Sequence, residues 1–163
     1  MLNSRMPSIA VLEGSVYFCG GTDSNEATKK LVKWDVKNFM IDTELSEMNC
    51  VRFEASAIEY EGWIFVVGGR DHQECFNSME CYNSKFDEWT YLANMKMARF
   101  QFQLATLDGL IYAAGRSLRI IMKSIFFFFV CFKAVISTYM AMRVLMQLKD
   151  MMLQRMNGKI LHQ

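Results

Sequence analysis

The chain has 163 residues, 52% of them apolar, with 18 Lys+Arg against 17 Asp+Glu and a formal net charge of +1. That length allows one or two domains and that apolar share allows a core, while a near-neutral balance leaves no electrostatic footprint for nucleic acid. The cysteines (Cys19, Cys50, Cys75, Cys81 and Cys131) are odd in number and show no Cys-x-x-Cys spacing, which argues against a disulfide scaffold and fits a reducing, cytoplasmic setting.

Met1-Leu2-Asn3-Ser4-Arg5 has no apolar h-region, so no signal peptide is expected. The next segment sets the pattern for the chain. Gly14-Ser15-Val16-Tyr17-Phe18-Cys19-Gly20-Gly21 recurs as Gly62-Trp63-Ile64-Phe65-Val66-Val67-Gly68-Gly69, and again as Gly109-Leu110-Ile111-Tyr112-Ala113-Ala114-Gly115. The steps are 48 and 47 residues. A fixed period of this size marks one supersecondary unit copied and stacked, and argues against an enzyme built around one central site. Other positions keep the step: Arg52 and Arg99, each ten residues before its glycine; Met48 and Met95; Trp34 and Tyr82. Arg5 stands nine before Gly14.

The middle copy is the fullest. Residues 55–60 alternate loosely and read as a strand, Glu61-Gly62 as a turn, and 63–67 as a continuous apolar strand buried on both faces. Gly68-Gly69 ends it, where φ > 0 or close backbone approach is needed. A polar loop follows from Arg70, then a strand over 78–82, turn chemistry over 83–87, and a fourth strand over 88–92 led by Trp89. Four short antiparallel strands cannot bury both sheet faces alone, and radial stacking of such sheets gives a β-propeller.

The doublets Gly20-Gly21 and Gly68-Gly69, the Trp34 and Tyr82 positions, Trp89, then Met95 and Arg99, resemble the Kelch repeat. Asn77-Ser78-Met79-Glu80-Cys81-Tyr82 with Glu88-Trp89 is most similar to the Kelch-like subfamily, whose full members join a BTB and a BACK domain to a six-bladed propeller. The resemblance covers about residues 5–116. It implies an all-β, incomplete Kelch propeller: one blade over 1–52, a second over 53–99, and the first hairpin of a third over 100–116. The first copy departs at Ile41, where a tryptophan is expected, and the third at Ala114, where a glycine is.

Residues 117–163 break the composition. The first 116 residues carry 11 Lys+Arg and 16 Asp+Glu; the tail carries 7 Lys+Arg and only Asp150. Nothing in the tail continues the third repeat, and three readings compete. A membrane helix over 124–142 gains roughly 4 kcal/mol from nine apolar residues but loses about 2.5–3.5 at Lys133, so no stable span is expected. An amphipathic helix over 134–156 suits Met, Leu and Lys. The third reading, which the codons favour, is a mistranslated gene segment. Phe126-Phe127-Phe128-Phe129 implies a pyrimidine tract of the kind that precedes a splice acceptor. The frame joining each third base to the next two permits Tyr-Asp, five residues, then Trp preceded by Glu, the spacing of Tyr82-Asn83 and Glu88-Trp89.

For chemistry the residues offer little. His72 lies in a polar loop, and its neighbours Cys75 and Cys81 match no common zinc spacing. The Gly-Gly doublets are not phosphate loops, since no helix and no Gly-Lys-Ser/Thr follows. No catalytic constellation stands out, so neither enzyme activity, cofactor nor metal is expected. Tyr17, Trp63, Phe65 and Tyr112 read as core, Trp89 and Met95 as packing between blades, and Arg52 and Arg99 as structural groups that satisfy loop carbonyls. In Kelch-like proteins the propeller loops capture a partner protein. Carried over, the candidate segments are 22–30 and 70–77, joined by turns at 49–54 and 96–101, with Arg70, Asp71, His72 and Gln73 as candidate contacts, solvated when no partner is bound. The resemblance implies recruitment of substrate proteins to a cullin-RING ubiquitin ligase, with the cullin bound by BTB and BACK domains outside this chain. The alternatives are an actin-binding cytoskeletal Kelch protein and a polypeptide with no function as written. Two blades and a hairpin leave sheet edges and an apolar face uncovered, so the isolated chain is expected to aggregate or to stay partly unfolded.

Overall fold

The computed structural model of the chain describes residues 5–117 and 130–131, all within one compact unit. Among the described residues there are thirteen strands and no helix. β1 (Ser8–Leu12) and β2 (Ser15–Cys19) form a hairpin; β3 (Thr22–Asp23) and β4 (Glu26–Ala27) form a second, small one; β5 (Leu31–Asp35) and β6 (Met40–Asp42) complete a four-stranded sheet in the order β1-β2-β5-β6. β7 (Ser56–Tyr60), β8 (Trp63–Val67), β9 (Met79–Asn83) and β10 (Glu88–Leu92) make the second sheet as a simple meander. β11 (Arg99–Leu107), β12 (Leu110–Ser117) and β13 (Val130–Cys131) make the third. All pairings within these sheets are antiparallel.

Repeated turn chemistry gives repeated strands. Glu13-Gly14, Glu61-Gly62 and Asp108-Gly109 each carry φ of about +50° and then +74° to +81°, the two left-handed positions that a two-residue type I′ hairpin requires. The outer hairpin of each four-stranded blade has a four-residue loop fastened by an Asx contact. The Asp35 carboxylate accepts from the amides of Lys37 (2.9 Å) and Asn38 (3.2 Å), and Asn83 Oδ1 accepts from the Lys85 amide (3.0 Å). Asp35 and Asn83 stand one period apart.

The sheets stack face to face. Ala10, Leu12, Tyr17, Cys19 and Leu31 on one face of the first sheet form a core with Ile64, Val66 and Tyr82 on the facing side of the second. β8 is buried from Ile64 to Val67 because both of its faces meet a neighbouring sheet. β1, β7 and β11 lie side by side as the innermost strands of successive sheets. The architecture is that of a partial β-propeller with two four-stranded blades and part of a third.

Three expectations change. The third blade does not stop at its hairpin: Cys131 and Val130 pair with Tyr112 and Ala113, the positions that Cys81 and Glu80 take opposite Phe65 and Val66. Two residues of the compositionally foreign segment thus supply a third strand, because an open β12 edge can pair with any extended backbone. The segment 22–30 is not a plain loop but holds the β3–β4 hairpin, turned by Ser24 and Asn25 with φ of +50° and +71°. Arg5 is not the counterpart of Arg52. It bridges to Thr22 as Phe53 bridges to Arg70, so its equivalent is Phe53, and its side chain is exposed. The frameshift reading and both helical readings of the tail concern residues outside the described ones, apart from the strand at 130–131.

Candidate protein-binding surface

The Gly-Gly doublets are where one blade is fastened to the next. Gly69 has φ +89° and its N–H donates to the Arg99 carbonyl (2.7 Å); Gly21 has φ +96° and donates to the Arg52 carbonyl (2.8 Å). The preceding glycines sit at φ +60° (Gly68) and +66° (Gly20). A Cβ on Gly68 would meet the Arg99 carbonyl oxygen at 2.5 Å, and one on Gly20 would strike that of Arg52. Glycine is required twice over, by φ and by space.

Each arginine then reaches forward. The Arg52 guanidinium is fully buried and donates to the Gly68 carbonyl (2.7 Å), the Ser78 hydroxyl (3.1 Å) and the Glu80 carboxylate (2.7 Å). The other Glu80 oxygen accepts from the Asn49 backbone amide (2.6 Å) and side chain (2.9 Å). Arg99 repeats half of this, donating to the Gly115 carbonyl at 3.0 Å, and burial holds its guanidinium below the usual arginine range. The arginines thus satisfy loop carbonyls as their spacing implied. They also link one blade's doublet, through the backbone, to the next blade's doublet, through the side chain. Glu80 was invisible in the sequence because no copy repeats it; Val32 occupies its place in the first blade.

Around these fasteners the four candidate segments join into one end of the structure. Arg52 N donates to Thr28 O (3.2 Å), Met48 N to Lys29 O (2.8 Å) and Arg99 N to Phe76 O (3.1 Å). The His72 ring nitrogen Nε2 donates to the Asn25 carbonyl (2.7 Å), and the ring packs against Phe53 with centroids 5.3 Å apart. Gln101 N donates to Glu54 O, and Glu54 N to Met6 O. Met6, Glu54 and Gln101 are one repeat apart and share φ of +52° to +55°, so they form a backbone relay from blade to blade.

Arg70 was expected as a solvated loop arginine and is instead held. Its Nε donates to Glu54 Oε2 (2.6 Å), and its guanidinium lies over Phe53 (4.9 Å) and Phe100 (5.1 Å). A cation between two aromatic faces and a carboxylate has little freedom left. Gln101 Nε2 donates to the other Glu54 oxygen at 2.6 Å. Phe53 and Phe100 recur at 47 residues, a signal within reach of the period though not of any single segment. Asp71 fixes the loop locally by accepting from the Gln73 and Glu74 amides (both 2.7 Å), which lowers its pKa below the usual aspartate value. Gln73 and Glu74 are exposed at the tip. Of the four candidate contacts, His72 and Gln73 are exposed, while Arg70 and Asp71 are half-buried and shape the surface beneath them.

The repeat-marking aromatics Tyr82 and Trp89 pack against the core between the first two sheets. The Trp89 ring lies on Tyr82 (5.1 Å), and its Nε1 donates to the Ser46 carbonyl (2.9 Å) ahead of the second blade. Tyr82 Oη donates to Asp87 (2.8 Å), which also accepts from the Ser46 amide and hydroxyl. Partial burial would raise the pKa of Asp87, but these hydrogen bonds outweigh it and hold the carboxyl below its usual value. Trp34 occupies the Tyr82 position and pairs with Ile41 as Tyr82 pairs with Trp89. Burial pushes the Cys19 and Cys81 thiols up to about 12, so neither is a thiolate at neutral pH. Among the described residues no group of three or more His, Cys, Asp or Glu is placed to hold a metal ion, and no helix is long and apolar enough to cross a membrane.

Stacked four-stranded blades, riveted at glycine doublets and closed off by joined loops, define a propeller-type interaction module. The Kelch motif model matches residues 52–96, the stretch from Arg52 through the second blade. The chain is 33% identical over 125 residues to the human influenza virus NS1A-binding protein, covering 71% of this chain and 20% of that protein. It is 29% identical over 111 residues to the Kelch repeat and BTB domain-containing protein 2 of cowpox virus (strain Brighton Red), covering 66% of this chain and 19% of that one. The solved structure of YjhT superposes with a TM-score of 0.59 at 21% identity, over 70% of this chain and 35% of YjhT, which supports the fold alone. The chain belongs to the Kelch-repeat family and spans about a fifth of the length of these curated relatives.

Proposed function

We propose that this segment recognises a protein substrate for a cullin-RING ubiquitin ligase, as part of a Kelch-like adaptor in the cytoplasm whose BTB and BACK domains hold the cullin. The observation that carries the reading is the joining of segments 22–30, 49–54, 70–77 and 96–101 into one hydrogen-bonded surface on a rigid blade frame. Rigid scaffolds that present joined loops are suited to protein capture. A relative that combines Kelch repeats with a BTB domain adds to it. The contacts proposed are the exposed His72 and Gln73, with Arg70 and Asp71 holding the loop beneath.

The full-length transcript tests this. Its product is expected to carry a BTB domain and to co-precipitate a cullin together with a substrate protein. Gln73→Arg should reduce substrate recovery several-fold and leave cullin recovery unchanged. A transcript without a BTB domain, whose product cosediments with filamentous actin, would establish the cytoskeletal alternative and overturn the adaptor reading.

A further inference from the structure

Ser46 clasps the segment leaving the first blade to the rim of the second. Its amide donates to both Asp87 oxygens (2.9 and 3.1 Å), its hydroxyl donates to Asp87 Oδ2 (3.0 Å), and its carbonyl accepts from Trp89 Nε1 (2.9 Å). The repeat does not demand a serine there. Leu45-Ser46-Glu47-Met48 returns as Leu92-Ala93-Asn94-Met95, so the next copy lacks both the hydroxyl and the acid beside it. The contact that seats Trp89 uses a backbone carbonyl, which any residue supplies. The Ser46 side chain is thus extra to the frame, and the residue is exposed.

Its surroundings suit a kinase substrate. Residues 43–50 run between β6 and β7 and belong to no strand, so the chain there can be drawn straight without breaking a ladder. Other exposed hydroxyls are held, Ser24 in a tight turn at φ +50° and Thr106 in the β11–β12 ladder. From Asn38 to Val51 there is no Lys or Arg, while Asp42, Glu44 and Glu47 flank the serine. A basic catalytic cleft selects such a stretch by charge. The consequence of modification follows from Asp87, which is ionised at neutral pH. Among the described residues no Lys or Arg pairs with it. A phosphoserine carries about −1.5 to −2 charge and no longer has the proton that the carboxylate accepts. Placed on an oxygen 3.0 Å from Asp87 Oδ2, that charge repels the carboxylate and pulls Ser46 away from Trp89.

We propose that Ser46 is a phosphorylation site for an acid-directed protein kinase, and that its phosphorylation unclasps the rim of the second blade from the segment leaving the first. Ser46 Oγ forms a bond to the γ-phosphorus of ATP, and the bond from that phosphorus to the β,γ-bridging oxygen breaks. ADP leaves, and the hydroxyl proton passes to the general base of the kinase.

The test incubates the full-length protein with ATP, Mg²⁺ and an acid-directed casein kinase, maps the phosphate by mass spectrometry, and follows hydrogen exchange before and after. Phosphate is expected on Ser46, with the Ser46 amide then exchanging about tenfold faster or more. Ser46→Ala should take no phosphate at that position and keep the slow exchange, because its amide and carbonyl contacts remain. Asp87→Asn should accept phosphate on Ser46 with little further acceleration, since the opposing charge is gone. Should Asp87→Asn fail to fold, salt at about 1 M serves instead, because screening should slow the exchange of the phosphorylated protein again. No phosphate on Ser46, transfer to Thr43 in its place, unchanged exchange after transfer, or an equal acceleration in Asp87→Asn would each overturn the proposal, as would acceleration indifferent to salt.

Discussion

Glu80→Gln is expected to destabilise the blades by about 3–5 kcal/mol, seen as a lowered urea midpoint. Arg52 and Glu80 are both fully buried and 2.7 Å apart, and removal of one partner strands the other charge without water. Glutamine has a single acceptor oxygen, so when it accepts from Asn49 its NH2 faces the Arg52 guanidinium, and the loss combines the charge with that hydrogen bond. Measured against a typical domain stability of about 5–15 kcal/mol, this substitution alone can deplete the folded state. Arg52→Met combined with Glu80→Met should recover part of the loss, as buried pairs replaced together often do. Recovery should be incomplete, because the Gly68 and Ser78 carbonyls and the Asn49 amide lose their partners as well.

Gly68→Ala should cost about 3 kcal/mol or more, while Gly62→Ala in the same blade should cost only about 1. Both glycines have positive φ, +60° and +81°. They differ in what surrounds them. A Cβ at Gly62 meets nothing within 4 Å, so only backbone strain is incurred. A Cβ at Gly68 lands 2.5 Å from the Arg99 carbonyl oxygen, with Phe102 and Met95 close behind. The carbonyl cannot withdraw without breaking its bond from Gly69 N. The third blade must therefore move away from the second. Equilibrium urea denaturation of the two variants gives the comparison directly, and equal losses would mean that the doublet is a turn and not a fastening.

Much of this frame was legible in the sequence for a physical reason. Positive-φ positions and close backbone approaches admit glycine almost alone, so Gly14, Gly62 and Gly109 and the doublets print the period openly. Continuous apolar strands bounded by such glycines then locate β2, β8 and β12. The arginines were legible as structural because they keep the same step. What the sequence hid depends on meetings across blades. Glu80 has no repeated counterpart, so its role as the ion-pair partner of Arg52 left no trace. Arg70 reads as a loop cation until Glu54 and Phe100, from two different repeats, are brought to it. The β3–β4 hairpin and β13 are two-residue strands, too short for any hydrophobic period. Arg5 misled because one residue of spacing separates an equivalent of Phe53 from an equivalent of Arg52.

The most direct test of the blade-to-blade fastening is native-state hydrogen exchange at the Gly21 and Gly69 amides, compared with the amides of β8. Each glycine amide donates to the arginine carbonyl that opens the next blade. The account predicts that both exchange with protection comparable to Val66, since opening them requires the blades to part. Free exchange at Gly21 and Gly69 while β8 stays protected would contradict it, because the sheets would then be folded but not joined at their doublets.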